Sequence, residues 1–425
     1  MTFLKSRRVG VIAAVLLLVA GGLVVRNVLS GEQAAPASLE TFKGASAEAG
    51  RYLAIAGNCA SCHTVDGGSR YAGGRQFHTP FGILYSTNIT PDSETGIGNW
   101  SFEDFYRSMK YGVRPNGEHL YPAFPFTSFA KMTDEDIASL YLYIQSLEPV
   151  RNPARENELR FPFNQRSMLA GWKVLFHDSS TYTPDEQKSA EWNRGAYLVE
   201  GVAHCGACHT PRNAMGAERK DLALTGGVYM DKVKLGGYRQ WSAVNLTPSE
   251  TGLGDWTRED IVEYLRTGQN AHTVIHGPMN KVVMDSTHHM TEEDRVAIAT
   301  YLKGIPANAQ PTGPAPDEDS IAAGKTVYTV HCGSCHLPTG LGDSTLGVPL
   351  VKNSIVQAAD PSTLLNVILY GPEVPPPPFL SDRSRMKMYG KRLSDEDIAN
   401  VANYLRASFG HGAGRVTPDQ VKRQR

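Results

Sequence analysis

The sequence predicts a mainly α-helical chain of three tandem domains behind an N-terminal membrane segment. Three observations carry that prediction. One pattern occurs three times, as Cys59-Ala60-Ser61-Cys62-His63, Cys205-Gly206-Ala207-Cys208-His209 and Cys332-Gly333-Ser334-Cys335-His336. Each copy is followed at a distance by the same helix start, Thr133-Asp134-Glu135-Asp136, Thr291-Glu292-Glu293-Asp294 and Ser394-Asp395-Glu396-Asp397, an N-cap hydroxyl with an acidic first turn. Finally, 425 residues are enough for about three domains of ordinary size.

The membrane segment rests on Lys5, Arg7 and Arg8 ahead of an uncharged apolar run from Val9 to Val25, closed by Arg26. A signal peptide's apolar region is about 7 to 15 residues and a spanning helix needs about 17 to 25. The small-residue stretch Ala34-Ala35-Pro36-Ala37 lies far beyond the run, so residues 1–30 are expected to be an uncleaved anchor rather than a cleaved signal. In either case the cations stay cytoplasmic and the rest of the chain is exported, which places it at the inner (cytoplasmic) membrane, facing the periplasm. With 42 Lys and Arg against 43 Asp and Glu, nothing points to nucleic acid.

The remaining elements follow in order. A unit at 46–150 opens on Ala49-Gly50-Arg51-Tyr52-Leu53, one at 191–305 on Arg194-Gly195-Ala196-Tyr197-Leu198, and one at 318–409 on Ala323-Gly324-Lys325-Thr326-Val327, each leading into its cysteines. These are internal repeats. The first two also share Asn88-Ile89-Thr90-Pro91 running to Trp100 and Asn245-Leu246-Thr247-Pro248 running to Trp256, read as a structural turn with Trp as a packing plug. The closing helices carry Ile137, Leu140, Tyr141 and Ile144, then Ile298, Tyr301 and Leu302, then Ile398, Val401, Ala402 and Leu405 at helical spacing. A connecting segment at 151–190 puts Leu169, Trp172, Leu175 and Phe176 on one helical face, expected to pack between domains. Residues 306–317 read as a stiff linker, Pro375–Pro378 as a rigid loop, and 410–425 as a polar tail.

The repeated C-x-x-C-H is the attachment signature of c-type haem. Residues i and i+3 of a helical turn share a face, so two thiols reach the two vinyl groups of one porphyrin while the His meets the iron. A thioredoxin-like C-x-x-C needs a βαβ context, and a zinc ribbon needs knuckles within about 15 to 20 residues; neither condition is met. All six cysteines are consumed, leaving none for a disulfide. Three covalently bound haem c groups are therefore expected, on Cys59 and Cys62, Cys205 and Cys208, and Cys332 and Cys335, with His63, His209 and His336 on the irons. The haem then forms much of each core, which lets roughly 100 residues fold with few other apolar clusters.

A low-spin electron-transfer haem needs a second axial ligand, and a thioether raises the potential. Met386, ahead of Met388, stands before the third closing helix, and Met279, ahead of Met284, stands before the second. In the first unit the corresponding stretch, Leu120-Tyr121-Pro122-Ala123-Phe124-Pro125-Phe126, has no Met. Met132 is the leading candidate there, with His119, Met109 or an open position as alternatives; Met132 also aligns with Met290 and Leu393, where an apolar residue staples a helix start.

With these residues in view, the chain resembles the triple-haem cytochrome c subunits of bacterial membrane-bound dehydrogenases, which serve quinoprotein alcohol dehydrogenase and flavin-dependent gluconate, sorbitol and fructose dehydrogenases and aldehyde dehydrogenase. The resemblance covers about residues 46 to 408, through the haem sites, the two N-[IL]-T-P loops, Cys208-His209-Thr210-Pro211-Arg212-Asn213, and Gly277-Pro278-Met279 followed by Ser286-Thr287. It implies three cytochrome c domains that take electrons from a quinoprotein or flavoprotein catalytic subunit and pass them to ubiquinone or a terminal oxidase. Many members have Met where this chain has Phe124.

No Gly-rich nucleotide fingerprint follows a strand, so the chain is expected to be a non-catalytic subunit. The rival readings are an enzyme or sensor whose first haem is five-coordinate, as in a peroxidase, and a free-standing periplasmic electron carrier.

Overall fold

A computed structural model describes residues 36–233, 237–343, 347–375 and 386–425. The N-terminal membrane segment at 1–30 and Pro376–Pro378 of the proline run lie outside the described residues. Among the described residues no helix is long and apolar enough to cross a membrane.

The fold is mainly helical and repeats one arrangement three times. In unit 1, α1 (Ala47–Ala56) runs into the short α2 (Cys59–Cys62), and after the strands β1 (Gln76–Thr79) and β2 (Gly82–Tyr85) come α3 (Phe102–Tyr111), α4 (Phe126–Phe129) and the closing α5 (Asp134–Gln145). The connecting segment adds β3 (Glu158–Leu159) to the antiparallel sheet β1-β2-β3 and forms α6 (Met168–Phe176). Unit 2 comprises α7 (Ala190–Ala196), prolonged by a wider π-type stretch Tyr197–Val202, then α8 (Gly206–His209), the hairpin β4 (Gly227–Lys232) and β5 (Tyr238–Ala243), α9 (Arg258–Thr267), α10 (Met279–Asp285) and the closing α11 (Glu292–Gly304). Unit 3 comprises α12 (Glu318–His331), α13 (Gly333–His336), α14 (Ser354–Gln357), α15 (Ser362–Tyr370), the closing α16 (Asp395–Ala407) and α17 (Pro418–Gln424).

In every unit the helix before the cysteines crosses the closing helix: α1 on α5, α7 on α11 and α12 on α16. The closing helices start where the hydroxyl caps stand. Thr133, Thr291 and Ser394 accept from the amides of Asp136 (3.1 Å), Asp294 (3.2 Å) and Asp397 (3.0 Å), satisfying donors that a helix start leaves unpaired.

Units 1 and 2 share one apolar core, in which Leu53, Ile137 and Ile144 of the first pack with Leu198, Ile298 and Leu302 of the second. The two are joined reciprocally. The Tyr52 hydroxyl donates to Asp294 (2.6 Å) and accepts from the Thr291 amide (3.2 Å), while the Tyr197 hydroxyl donates to Asp136 and accepts from the Thr133 amide (3.1 Å). Each unit thus anchors the capped start of the other's closing helix. Removing either hydroxyl, as Tyr52→Phe or Tyr197→Phe, is expected to cost about 1 to 3 kcal/mol in denaturant unfolding of the two-unit body. No cost from either substitution would show the reciprocal bonds to be energetically idle.

Unit 3 has a separate core of Tyr328, Leu365, Leu369, Ile398 and Ala402. It meets unit 2 through polar contacts to β5: Ser242 exchanges hydrogen bonds with Thr363 (2.8 to 3.1 Å), and Gln240 donates to Asp360 and Ser362 (both 3.0 Å).

Two sequence readings are corrected, and the linker gains contacts that the sequence did not show. Residues 410–425 are no polar tail, because Val416 and Val421 are buried in the unit 3 core, with the Val416 amide on Asn403 (2.7 Å). The linker at 306–317 is laid along unit 2, where the Asn308 carbonyl accepts from Asn245 (2.8 Å) and Thr247 (2.7 Å) and Gln310 donates to Thr225 and Gly226. On α6, Trp172 is buried, donating to the Met215 carbonyl (3.0 Å) of unit 2 and meeting Phe126 of unit 1 edge-on, but Leu175 is 66% exposed and belongs to the other face.

Two histidines, His119 against α6 and His177 at its C-terminal cap, are expected to make this contact acid-sensitive. His119 Nδ1 lies 2.9 Å from Lys173 Nζ, and burial followed by the Lys173 charge pushes it down to about 4. His177, on the Lys110 carbonyl at 2.8 Å, is also pushed down to about 4, chiefly by burial. As pH falls from the ordinary value of about 6.5 towards 4, the unfolded chain takes up protons that the folded one refuses, so stability drops across that window. Amide exchange in α6 is expected to accelerate from pH 7 to pH 5, once corrected for the intrinsic pH dependence of exchange; unchanged protection would contradict this.

Candidate haem sites

In each unit the C-x-x-C-H segment is wound as one helical turn. The His63 amide donates to the Cys59 carbonyl (2.9 Å), that of His209 to Cys205 (3.0 Å) and that of His336 to Cys332 (2.9 Å). This puts each pair of thiols on one face. All six are free. Burial, with the partner thiol adding, pushes Cys59 and Cys205 up to about 12 and Cys332 up to about 11. Among the described residues no three His, Cys, Asp or Glu side chains converge as a metal-ion site.

The imidazoles share a feature that the motif alone does not contain. His63 Nδ1 lies 2.7 Å from the Thr87 carbonyl, His209 Nδ1 2.7 Å from the Val244 carbonyl, and His336 Nδ1 2.9 Å from the Val348 carbonyl. A carbonyl here makes Nδ1 the donor, which leaves Nε2 with its lone pair for a metal, and it fixes the ring plane. Burial lowers the pKa of all three rings, with the carbonyl bond opposing it, so they are held neutral, the form that ligates iron. This donor set fits haem iron.

The N-[IL]-T-P loops now have a reason. Thr87 and Val244 immediately precede Asn88 and Asn245, and those buried side chains lock the loops. Asn88 Oδ1 accepts from the Thr90 amide (2.9 Å) and its amide group donates to the Val150 carbonyl (2.6 Å), while Asn245 repeats this with Thr247 (2.8 Å) and Asn308 (2.8 Å). The loops are structural turns, as their Pro and Gly offsets suggest, and what they position is the carbonyl behind the histidine. Sequence reasoning missed Thr87, Val244 and Val348 because a backbone acceptor has no residue signature.

The distal candidates fall in different settings. Met386 is half-buried against the unit 3 core, whereas Met388 is 58% exposed. Met279 opens α10 and is half-buried, with Met284 in the same helix. Trp241 lies against Gly277 of the same distal loop, and its indole Nε1 is buried without a hydrogen-bond partner among the described residues. In unit 1, Met132 and Met109 are both buried in the shared core. The Met132 carbonyl accepts from Lys110 Nζ of α3 (2.8 Å) and the Met290 carbonyl from Arg295 of α11, and each methionine stands directly before the N-cap of its closing helix, Thr133 and Thr291. His119 is turned to Lys173 of α6. Phe124 packs on Phe129, which meets His204 edge-on.

The attachment turns of units 1 and 2 lie back to back. A Cβ at Gly57 would stand 3.3 Å from the Val202 carbonyl, and His204 Nε2 is 3.1 Å from the Gly57 carbonyl. Asn58 and His204, which precede the first cysteines, both have positive φ (51° and 39°).

Comparison with known proteins accords with this geometry. The cytochrome c family model matches residues 47–148, and the model described as cytochrome c oxidase, cbb3-type, subunit III matches residues 319–405. The chain is 37% identical to the cytochrome c subunit of the quinone-dependent alcohol dehydrogenase of Komagataeibacter europaeus, over 88% of this chain and 83% of the relative. It is 37% identical to the gluconate 2-dehydrogenase cytochrome c subunit of Pantoea cypripedii, over 86% of each. The chain belongs to the family of dehydrogenase cytochrome c subunits. It is also 43% identical to a nicotinate dehydrogenase subunit of Pseudomonas putida, over 88% of this chain but only 31% of that longer protein. Cytochrome c domains imply covalent haem c, and membership among cytochrome c subunits of dehydrogenase complexes implies electron transfer.

Proposed function

We propose that the chain is the electron-transfer subunit of a periplasmic dehydrogenase complex, anchored at the inner membrane, and that it carries three haem c. The observation that carries this is the threefold Nδ1–carbonyl bond: His63, His209 and His336 each present Nε2 beside a paired-cysteine turn. Bound haem supplies a one-electron couple at each turn. The protein's part is to tie the porphyrins covalently through the six cysteines, to orient the imidazoles, and to provide Met279 and Met386 as sixth ligands. Electrons enter from a quinoprotein or flavoprotein catalytic subunit that oxidises an alcohol, sugar acid, polyol or aldehyde, and leave to ubiquinone or a terminal oxidase. The chain performs no substrate chemistry of its own.

The test is haem stoichiometry and reactivity of the full chain in detergent. Three haem c per chain, reduction by the co-purified catalytic subunit and no turnover by the isolated chain support the reading. Fewer haems, or substrate turnover by the isolated chain, refute it.

A second reading concerns unit 1. Met132 occupies the packing position of Met290, and Phe124 stands where, by the resemblance, many members have Met. These facts favour an open first iron over ligation by Met132. Carbon monoxide binding at one haem in three on the reduced protein supports this reading, and no binding returns Met132, His119 or Met109 to the iron.

A further inference from the structure

Between the attachment turns of units 1 and 2 lies a charge pair that the relay as described does not use. Arg75, just ahead of β1, donates from Nη1 to the carbonyl of Ser61 (2.6 Å), the residue beside Cys62. Its Nη2 reaches across the unit boundary to Asp231 Oδ1 (2.9 Å) and the Tyr229 hydroxyl (3.3 Å), both on β4. The start of β4 lies on the second turn, where a Cβ at Gly227 would stand 2.5 Å from the Cys208 carbonyl. The two charged side chains are only 15% and 13% exposed. Their hydrogen bonds among the described residues stay within units 1 and 2, while unit 3 docks on Gln240 and Ser242 of β5.

We infer that the Arg75–Asp231 pair sets the potentials of the first and second haems together and leaves the third largely unaffected. The inference rests on the three-haem reading above. Each reduction adds one negative charge to a haem, so a fixed cation nearby favours the reduced form and a fixed anion opposes it. A charge little exposed to water acts at an effective dielectric of about 20 rather than 80, so this pair is screened less than the chain's surface ion pairs.

The experiment is an equilibrium redox titration of the full chain in detergent, resolving the couples spectroscopically. R75Q is expected to shift electron occupancy from the first two haems towards the third by about tenfold in the partition ratio. D231N is expected to shift it by a similar factor the other way, and R75Q with D231N to fall near the parent. R75K, which keeps the charge, is expected to titrate like the parent. Opposite signs separate an electrostatic role from a packing role, which would move both single variants alike. Shifts of the same sign, equal movement of all three couples, no movement, or R75K behaving like R75Q would each overturn the inference. Haem content measured on the same samples keeps the two readings apart: fewer than three haems in the parent refutes the three-haem reading, not the placement of the pair.

Discussion

Alanine at Cys205 and Cys208 together is expected to remove one haem c from the chain and to unfold units 1 and 2 as a body, whereas alanine at Cys332 and Cys335 is expected to remove one haem and unfold unit 3 alone. The difference follows from where the apolar cores lie. Leu198 and Ile298 of unit 2 and Leu53 and Ile137 of unit 1 belong to one continuous cluster, so a core emptied of its porphyrin on one side exposes the other. Unit 3 packs Tyr328, Leu365 and Ile398 among its own residues and touches unit 2 through polar side chains. A unit of about 100 residues has little apolar burial to spare. The loss is therefore expected to take most of a domain's stability of about 5 to 15 kcal/mol. Haem quantitation with limited proteolysis checks both halves. A protease-resistant fragment spanning units 1 and 2 in the C332A/C335A chain, and none in the C205A/C208A chain, is the expected result. The reverse pattern would show that the cores are not divided in this way.

The second large effect is expected at the three glycines where the paired helices cross. A Cβ on Gly50 would stand 1.9 Å from the Ser139 carbonyl, on Gly195 2.0 Å from that of Ala297, and on Gly324 1.9 Å from that of Asn400. The clashing atom is backbone in every case, so no side chain can swing aside, and the helices must separate along their length. Overpacking costs about 1 to 3 kcal/mol where side chains yield, and more where they cannot. Gly50→Ala, Gly195→Ala and Gly324→Ala are each expected to cost about 3 kcal/mol or more in denaturant unfolding. Gly324→Ala should lower only the transition of unit 3. A cost below about 1 kcal/mol at any of the three would mean that the helices do not cross so closely.

These glycines also show how far the repeat could be read. Their recurrence before Cys59, Cys205 and Cys332 marks three equivalent helices, but the reason for it lies in a carbonyl far along the chain, on the closing helix of the same unit. The closing helices were legible to the residue at their starts, because a hydroxyl cap and an acidic first turn act over three or four positions. The 410–425 segment was not legible. Its many polar side chains hide Val416 and Val421, whose burial depends on Asn403 and the unit 3 core being alongside.

The sequence by itself determined the number of haem attachment signatures, the histidine of each, the helical class and the caps, since all of these rest on chemistry within a few residues of chain. Only the tertiary structure decided which carbonyl holds each histidine, that units 1 and 2 share a core while unit 3 keeps its own, and that Arg75 meets Asp231 between two attachment turns. Those are pairings between residues well separated in the chain. They are set by how helices and strands pack once the local elements exist, and a side chain's neighbours at that range leave no spacing in the chain to be read.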